Sequence, residues 1–167
     1  MTTSRIPAVI DYLVNLFTAA STLGAATPPV SVIDGPQVNA DPGPLALWVG
    51  VQNVDAGETV ADTASSVQTW AGLGRMARNE ELTVYCVAQA WSGSDDVRPL
   101  RLQAAAMVAA CEDLVRNDAS LGGIVSTPGN AAVTNQQWQQ GPGLSGDRGM
   151  AVRITFEITA QARIGGL

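Results

Sequence analysis

Residues 141–146 read Gly-Pro-Gly-Leu-Ser-Gly, a letter-for-letter match to the glycine-rich fingerprint that brings a dinucleotide pyrophosphate against backbone N–H groups. That chemistry needs a strand before the glycines and a helix after them, whereas here the next segment alternates with a period of two and is a strand. The loop is therefore expected to join two strands, and no cofactor is expected. A Walker-type phosphate loop is excluded because the chain has no lysine. Adjacent acids occur at Glu80-Glu81, Asp95-Asp96 and Glu112-Asp113. Neighbours on a strand point to opposite faces and neighbours on a helix diverge, so these are expected to be solvated carboxylates or caps rather than acid/base pairs. With neither lysine nor histidine, a serine nucleophile lacks its usual activators and a metal its commonest ligand. No catalytic or metal-binding residue is assigned.

The residues that remain informative suit recognition. Trp70, Trp91 and Trp138 fall at strand ends or beside polar neighbours, and Trp48 sits in an apolar strand. Tryptophan is enriched among interface anchors, so two readings stay open: these rings close the edges of the core, or they seat a neighbouring subunit. Arg153, Glu157 and Arg163 form the outward row of the last strand, a solvated face or a set of charges that fixes subunit register.

The elements that must position these residues follow from periodicity. Ile6, Val9, Ile10, Leu13, Leu16, Phe17 and Ala20 recur at helical spacing, predicting an amphipathic helix over 4–23 with Ser4 able to cap it, Pro7 in its first turn and Gly24 to stop it. Short strands are expected over 30–33, 45–52 and 64–71, and a strong one over 82–91. The 45–52 strand is apolar on both faces, so something must cover each side, and a neighbouring subunit is one candidate. A second helix is expected over 97–117, with the Ser92-to-Asp96 run supplying capping oxygens. A polar strand over about 131–138 and the alternating strand 150–164 complete the chain. The order α-β-β-β-β-α-β-β predicts one α+β domain over 1–167, a mostly antiparallel mixed sheet of about six strands with two helices on one face. Flexible loops are expected at about 34–44, 53–63 and 139–149.

The 167 residues, 46 % hydrophobic, suit one core, and the net charge of −6 argues against gripping nucleic acid, which needs clustered cations. Cys86 and Cys111 both fall on apolar faces and are expected to be buried thiols, although two cysteines leave a disulfide open. The N-terminal run carries Asp11 and Asn15 and lacks the apolar core of a signal peptide or membrane span, so a protein acting in a cytoplasm is expected, with no membrane partner.

Several phrases carry a resemblance: Ile6-Pro7-Ala8-Val9-Ile10-Asp11-Tyr12-Leu13 opening the first helix, Val32-Ile33-Asp34-Gly35-Pro36 after it, Leu82-Thr83-Val84-Tyr85-Cys86-Val87 leading to Gly93, and the alternating strand at the end. In these phrases and in layout the chain resembles the tail terminator, or tail-to-head joining, proteins of long-tailed siphophages. The resemblance implies a structural virion protein without an active site. Such a protein forms a homohexameric ring on the last ring of tail tube protein, stops tube elongation and offers its other surface to head completion and connector proteins. It also implies a pore through which DNA passes without specific binding, and a place at the head-proximal end of the virion tail. The rivals are another head-to-tail connector, a tube subunit, or a hot-dog-like thioesterase or small-molecule-binding module. The last needs a pocket in which a carboxylate such as Asp95 or Glu81 meets the ligand.

Overall fold

The computed structural model describes residues 3–36, 41–54, 62–71, 77–125, 131–142 and 149–165. Its elements are α1 (Ile6–Ala19), α2 (Ser21–Gly24), β1 (Ser31–Asp34), β2 (Leu45–Val49), β3 (Ala64–Trp70), β4 (Arg78–Ser92), α3 (Arg98–Asn117), β5 (Ala132–Pro142) and β6 (Met150–Ile164). The fold is α+β. Among the described residues six strands form one sheet in the order β1-β2-β4-β6-β5, with β3 also paired to β4, and every pairing except the parallel β1–β2 is antiparallel.

The spine of the sheet is the β4–β6 pair, in register from Arg78↔Ile164 to Ser92↔Met150. Both strands alternate, and their even-numbered residues form one apolar face: Leu82, Val84, Cys86 and Ala88 beside Ile154, Phe156, Ile158 and Ala160. Onto this face α1 lays Val9, Leu13 and Phe17, and α3 lays Leu100, Ala104, Met107, Val108, Cys111 and Val115, all in one core. Burying a side chain such as Phe156 or Leu13 contributes roughly 1.5–3 kcal/mol, so this stripe-on-sheet contact dominates the stability. The two cysteines meet here as buried free thiols.

The edge of β4 is shared: β3 pairs with its first half, up to Val84, and β2 with its second, from Cys86 to Ala90. At the changeover the Tyr85 carbonyl accepts from the Gly50 and Val51 N–H groups, and the Tyr85 N–H donates to the Thr63 carbonyl. Gly50 makes this exit from β2 with φ of +78°, a conformation that favours glycine.

Several expected boundaries move. The first helix is interrupted at Ala20, whose extended backbone (ψ 116°) separates α1 from a one-turn α2, so the described residues hold three helices rather than two. Ser4 does not cap in the usual way, because Arg5 occupies the N-cap position. Instead the Ser4 hydroxyl accepts from the Ile6 N–H at 3.1 Å and donates to Glu80 at 2.6 Å. β2 ends at Val49 rather than at 52, and β4 starts at Arg78 rather than at 82. α3 has Val97 at its N-cap without a side-chain cap bond, although Asp96 accepts the Arg98 N–H at 3.0 Å. β5 continues through Gly141 and Pro142, so residues 139–142 belong to a strand and not to a loop. Most of the expected 53–63 loop and residues 143–148 of the glycine-rich loop lie outside the described residues.

Both faces of β2 are buried, as its composition requires, but the cover comes from the chain itself. Leu45, Leu47 and Val49 meet the helices, while Ala46 and Trp48 form a second small core with Val51 and Val87, flanked by Ile33 and Val54. A neighbouring subunit is not needed to cover this strand.

Candidate functional site

Glu80 begins from an apparent conflict, a carboxylate on the apolar face of β4 with no solvent exposure. Its partners come from the start of α1: the Ser4 hydroxyl at 2.6 Å and the Arg5 N–H at 2.8 Å, joined by Gln68 Nε2 of β3 at 3.1 Å. Burial alone would push this carboxyl up, but the hydrogen bonds outweigh it and hold it below its ordinary value. Glu80 therefore caps α1 from a strand, favourably placed against the positive end of the helix dipole. Its neighbour Glu81 points to the opposite face, exposed, and accepts from Gln161 at 3.2 Å. Midway along α1, the Tyr12 hydroxyl donates to Asp118, which also accepts from Ser120 and the Gly122 N–H. The bond to Asp118 raises the Tyr12 hydroxyl, and the bond from Tyr12 leads the lowering of Asp118.

The helix-free face of the sheet is different in chemistry. It holds a groove of about 630 Å³ lined by Gln52, Tyr85, Asn135, Gln137, Gln139 and Thr155 among others. Beneath it Arg153, only 8 % exposed, donates from Nε to Gln89 Oε1 at 2.6 Å, and Asn135 donates to Glu157 at 2.7 Å. The expected outward row is thus three different environments: Arg153 buried, Glu157 half-buried and Arg163 exposed. Asp95 and Glu81 do not converge, since Glu81 lies near the start of β4 and Asp95 beyond its end, with roughly 36 Å of strand between Glu81 and Ser92. Among the described residues no three of Cys, Asp and Glu gather to hold a metal ion.

The four tryptophans separate clearly. Trp48 is 4 % exposed and belongs to the second core, so it cannot anchor a neighbour, and Trp91 is half-buried. Trp70 and Trp138 are 71 % and 51 % exposed. Trp70 pairs with Arg78, whose guanidinium lies 6.0 Å from the ring centre, and Trp138 pairs with Ile154. Both register partners point to the helix side, so both rings lie on that side at opposite flanks of the sheet, beyond the cover of the helices.

The strands carrying these rings are, with β1, the edge strands of the sheet among the described residues. β5 pairs only with β6 and β3 only with β4, leaving an outer edge on each among the described residues. Neither Ala132–Pro142 nor Ala64–Trp70 contains a single charged residue. Edge strands are ordinarily protected by charge, brevity or proline. Of these devices β5 has only a bulge at Asn135 (φ 43°) and the terminal Pro142. The sequence pattern marked the rings and not the edges, because which strand lies at an edge is decided by pairing.

No described helix is long and apolar enough to cross a membrane. The chain matches no protein-family model and no curated protein sequence.

Proposed function

We propose that this chain is a structural subunit that joins copies of itself into a ring, in the manner of the siphophage tail terminators its sequence resembles. The observation that carries the reading is that the sheet has two unlike flanks, each with an uncharged edge strand and one exposed tryptophan, Trp138 on β5 and Trp70 on β3. Two unlike surfaces that complement one another make a head-to-tail contact, and such contacts close into rings where the rotation between neighbours closes. With the helices outward, the amide- and hydroxyl-rich face around Tyr85, Gln137 and Gln139 would line the channel. A lining of this kind in a chain of net charge −6 lets DNA slide without adhering. The two rims of the ring would meet the tail tube protein and the head completion proteins, at the head-proximal end of the virion tail. The chain would then serve by binding alone, without catalysis.

The test is the mass of the purified protein, alone and mixed with tail tube subunits, with negative-stain images of both. Hexameric rings and tubes of arrested length support termination. Open-ended tubes of this chain point to a tube subunit. A monomer or dimer that ignores the tubes overturns the reading in favour of a small-molecule-binding module, with the polar groove as its site.

A further inference from the structure

We infer that copies of this chain join by antiparallel strand addition, the outer edge of β5 over Gln136–Pro142 pairing with the outer edge of β3 over Ala64–Trp70 of the next copy. The inference rests on the head-to-tail reading above and names its contact.

Four observations carry it. The two segments are the same length, seven residues each, because the bulge at Asn135 divides β5 just before Gln136. Neither holds a charge, so nothing repels across the seam, whereas the neighbouring strands β4 and β6 carry Arg78, Glu81, Glu157 and Arg163. Their directions agree: β3 runs opposite to β4, and β5 runs with β4, so β3 is antiparallel to β5. Rotation about a ring axis preserves that relation, and the next copy's β3 meets β5 in the antiparallel sense, the better pairing. Finally, both exposed tryptophans lie on the helix side. With the segments opposed residue for residue, Trp138 faces Gln68 and Trp70 faces Gln136, which puts the two rings on one diagonal, roughly 7–8 Å apart at their backbones and within reach of each other.

The pairing also fixes a geometry. In the opposed register Val67 meets Gln139; Val67 is level with Gln161 of β6 through Glu81, and Gln139 is level with Arg153, so the seam is offset by the eight residues that separate positions 153 and 161. That is roughly 26 Å along the strands, against roughly 19 Å across the four strands β3, β4, β6 and β5. A flat ring then needs strands tilted by roughly 54° to its axis, steeper than the about 35–45° of closed barrels. β1 is the competing edge and needs no such offset, but it has four residues, ends in Asp34 and has its two central side chains half-buried.

The experiment uses single-cysteine additions to the full chain, whose own Cys86 and Cys111 are buried. Val67→Cys and Gln139→Cys proteins are mixed, treated with a short bifunctional maleimide and run under denaturing conditions, beside each variant alone and a Gln139→Cys with Ile33→Cys mixture. A covalent dimer at least tenfold stronger in the Val67/Gln139 mixture than in any other lane is expected. Dimers from Gln139→Cys alone, or from the Ile33 mixture, overturn the pairing in favour of a two-fold β5 contact or a β1 contact. Native mass and negative stain of the same samples separate the two proposals. Rings without the Val67/Gln139 link refute the seam and leave the ring, and the link in open filaments refutes the ring and leaves the seam. A chain that stays monomeric refutes both.

Discussion

Replacing Glu80 by glutamine tests the capping of α1 from a strand. The carboxylate accepts hydrogen bonds through Oε1 from Ser4 and Gln68 and through Oε2 from the Arg5 N–H, and the Ser66 side chain adds another. A glutamine amide keeps one acceptor oxygen and turns the other into a donor, so at least one N–H or O–H is left facing N–H. A bond to a charged acceptor contributes roughly 1.5–3 kcal/mol, and some of the loss is offset because the charge no longer has to be buried. The net expectation is a loss of about 2 kcal/mol near neutral pH, which for a domain of this size lowers Tm by roughly 4–8 °C. The pH dependence supplies the sign. The folded-state carboxyl is held below its ordinary value of 4.5, so its contribution is present above that pH and is lost as pH falls through the lower folded value. The Tm gap between wild type and Glu80→Gln, read by circular dichroism, should therefore be full at pH 7 and shrink as pH falls below 4.5. An undiminished gap at pH 3, or a variant as stable as wild type at pH 7, would refute the reasoning.

Other outcomes follow from single contacts. A Cβ at Gly149 would lie 2.1 Å from the Ser92 carbonyl oxygen, at φ of +122°, so Gly149→Ala should destabilise by about 3 kcal/mol or more, while Gly141→Ala, with nothing within 4 Å, should not; urea titrations of the pair decide it. Tyr12→Phe removes the donor to Asp118 and should cost about 1 kcal/mol in the same titration at pH 7. Because the Tyr12 hydroxyl is raised in the folded state above its ordinary 10.0, wild type should lose stability relative to Tyr12→Phe as pH climbs past that value. Burial pushes the Cys86 thiol up to about 12, and that of Cys111 well above its usual range. Neither should react with maleimide at pH 8 until denaturant is added; rapid labelling of the native protein would contradict the core described above.

Periodicity was legible wherever one face of an element is buried against a large partner. β6 runs from Met150 to Ile164 as its alternation predicts, and α3 differs from expectation by one residue, because both present long uninterrupted stripes to the core. The start of β4 was hidden by Arg78, Glu80 and Glu81, three charges in four residues, and what makes Glu80 tolerable there is a helix terminus 75 residues away in sequence. The break at Ala20 was invisible because Leu23 continues the apolar stripe on the far side of it. Among the candidate interface residues, the polar neighbours of Trp70 and Trp138 do not distinguish them from the half-buried Trp91 in sequence. The pairing of strands decides which of these rings lies exposed on a flank.

The unbroken β4–β6 ladder has a mechanical consequence. Its fifteen residue pairs run antiparallel without a register shift from one end of the sheet to the other. When load is applied along the strands at opposite ends, the ladder bonds share it in shear rather than parting one after another as in a peeled hairpin. The molecule is accordingly stiffest along this axis, and weakest across it, where β5 and β3 each hang from a single neighbour.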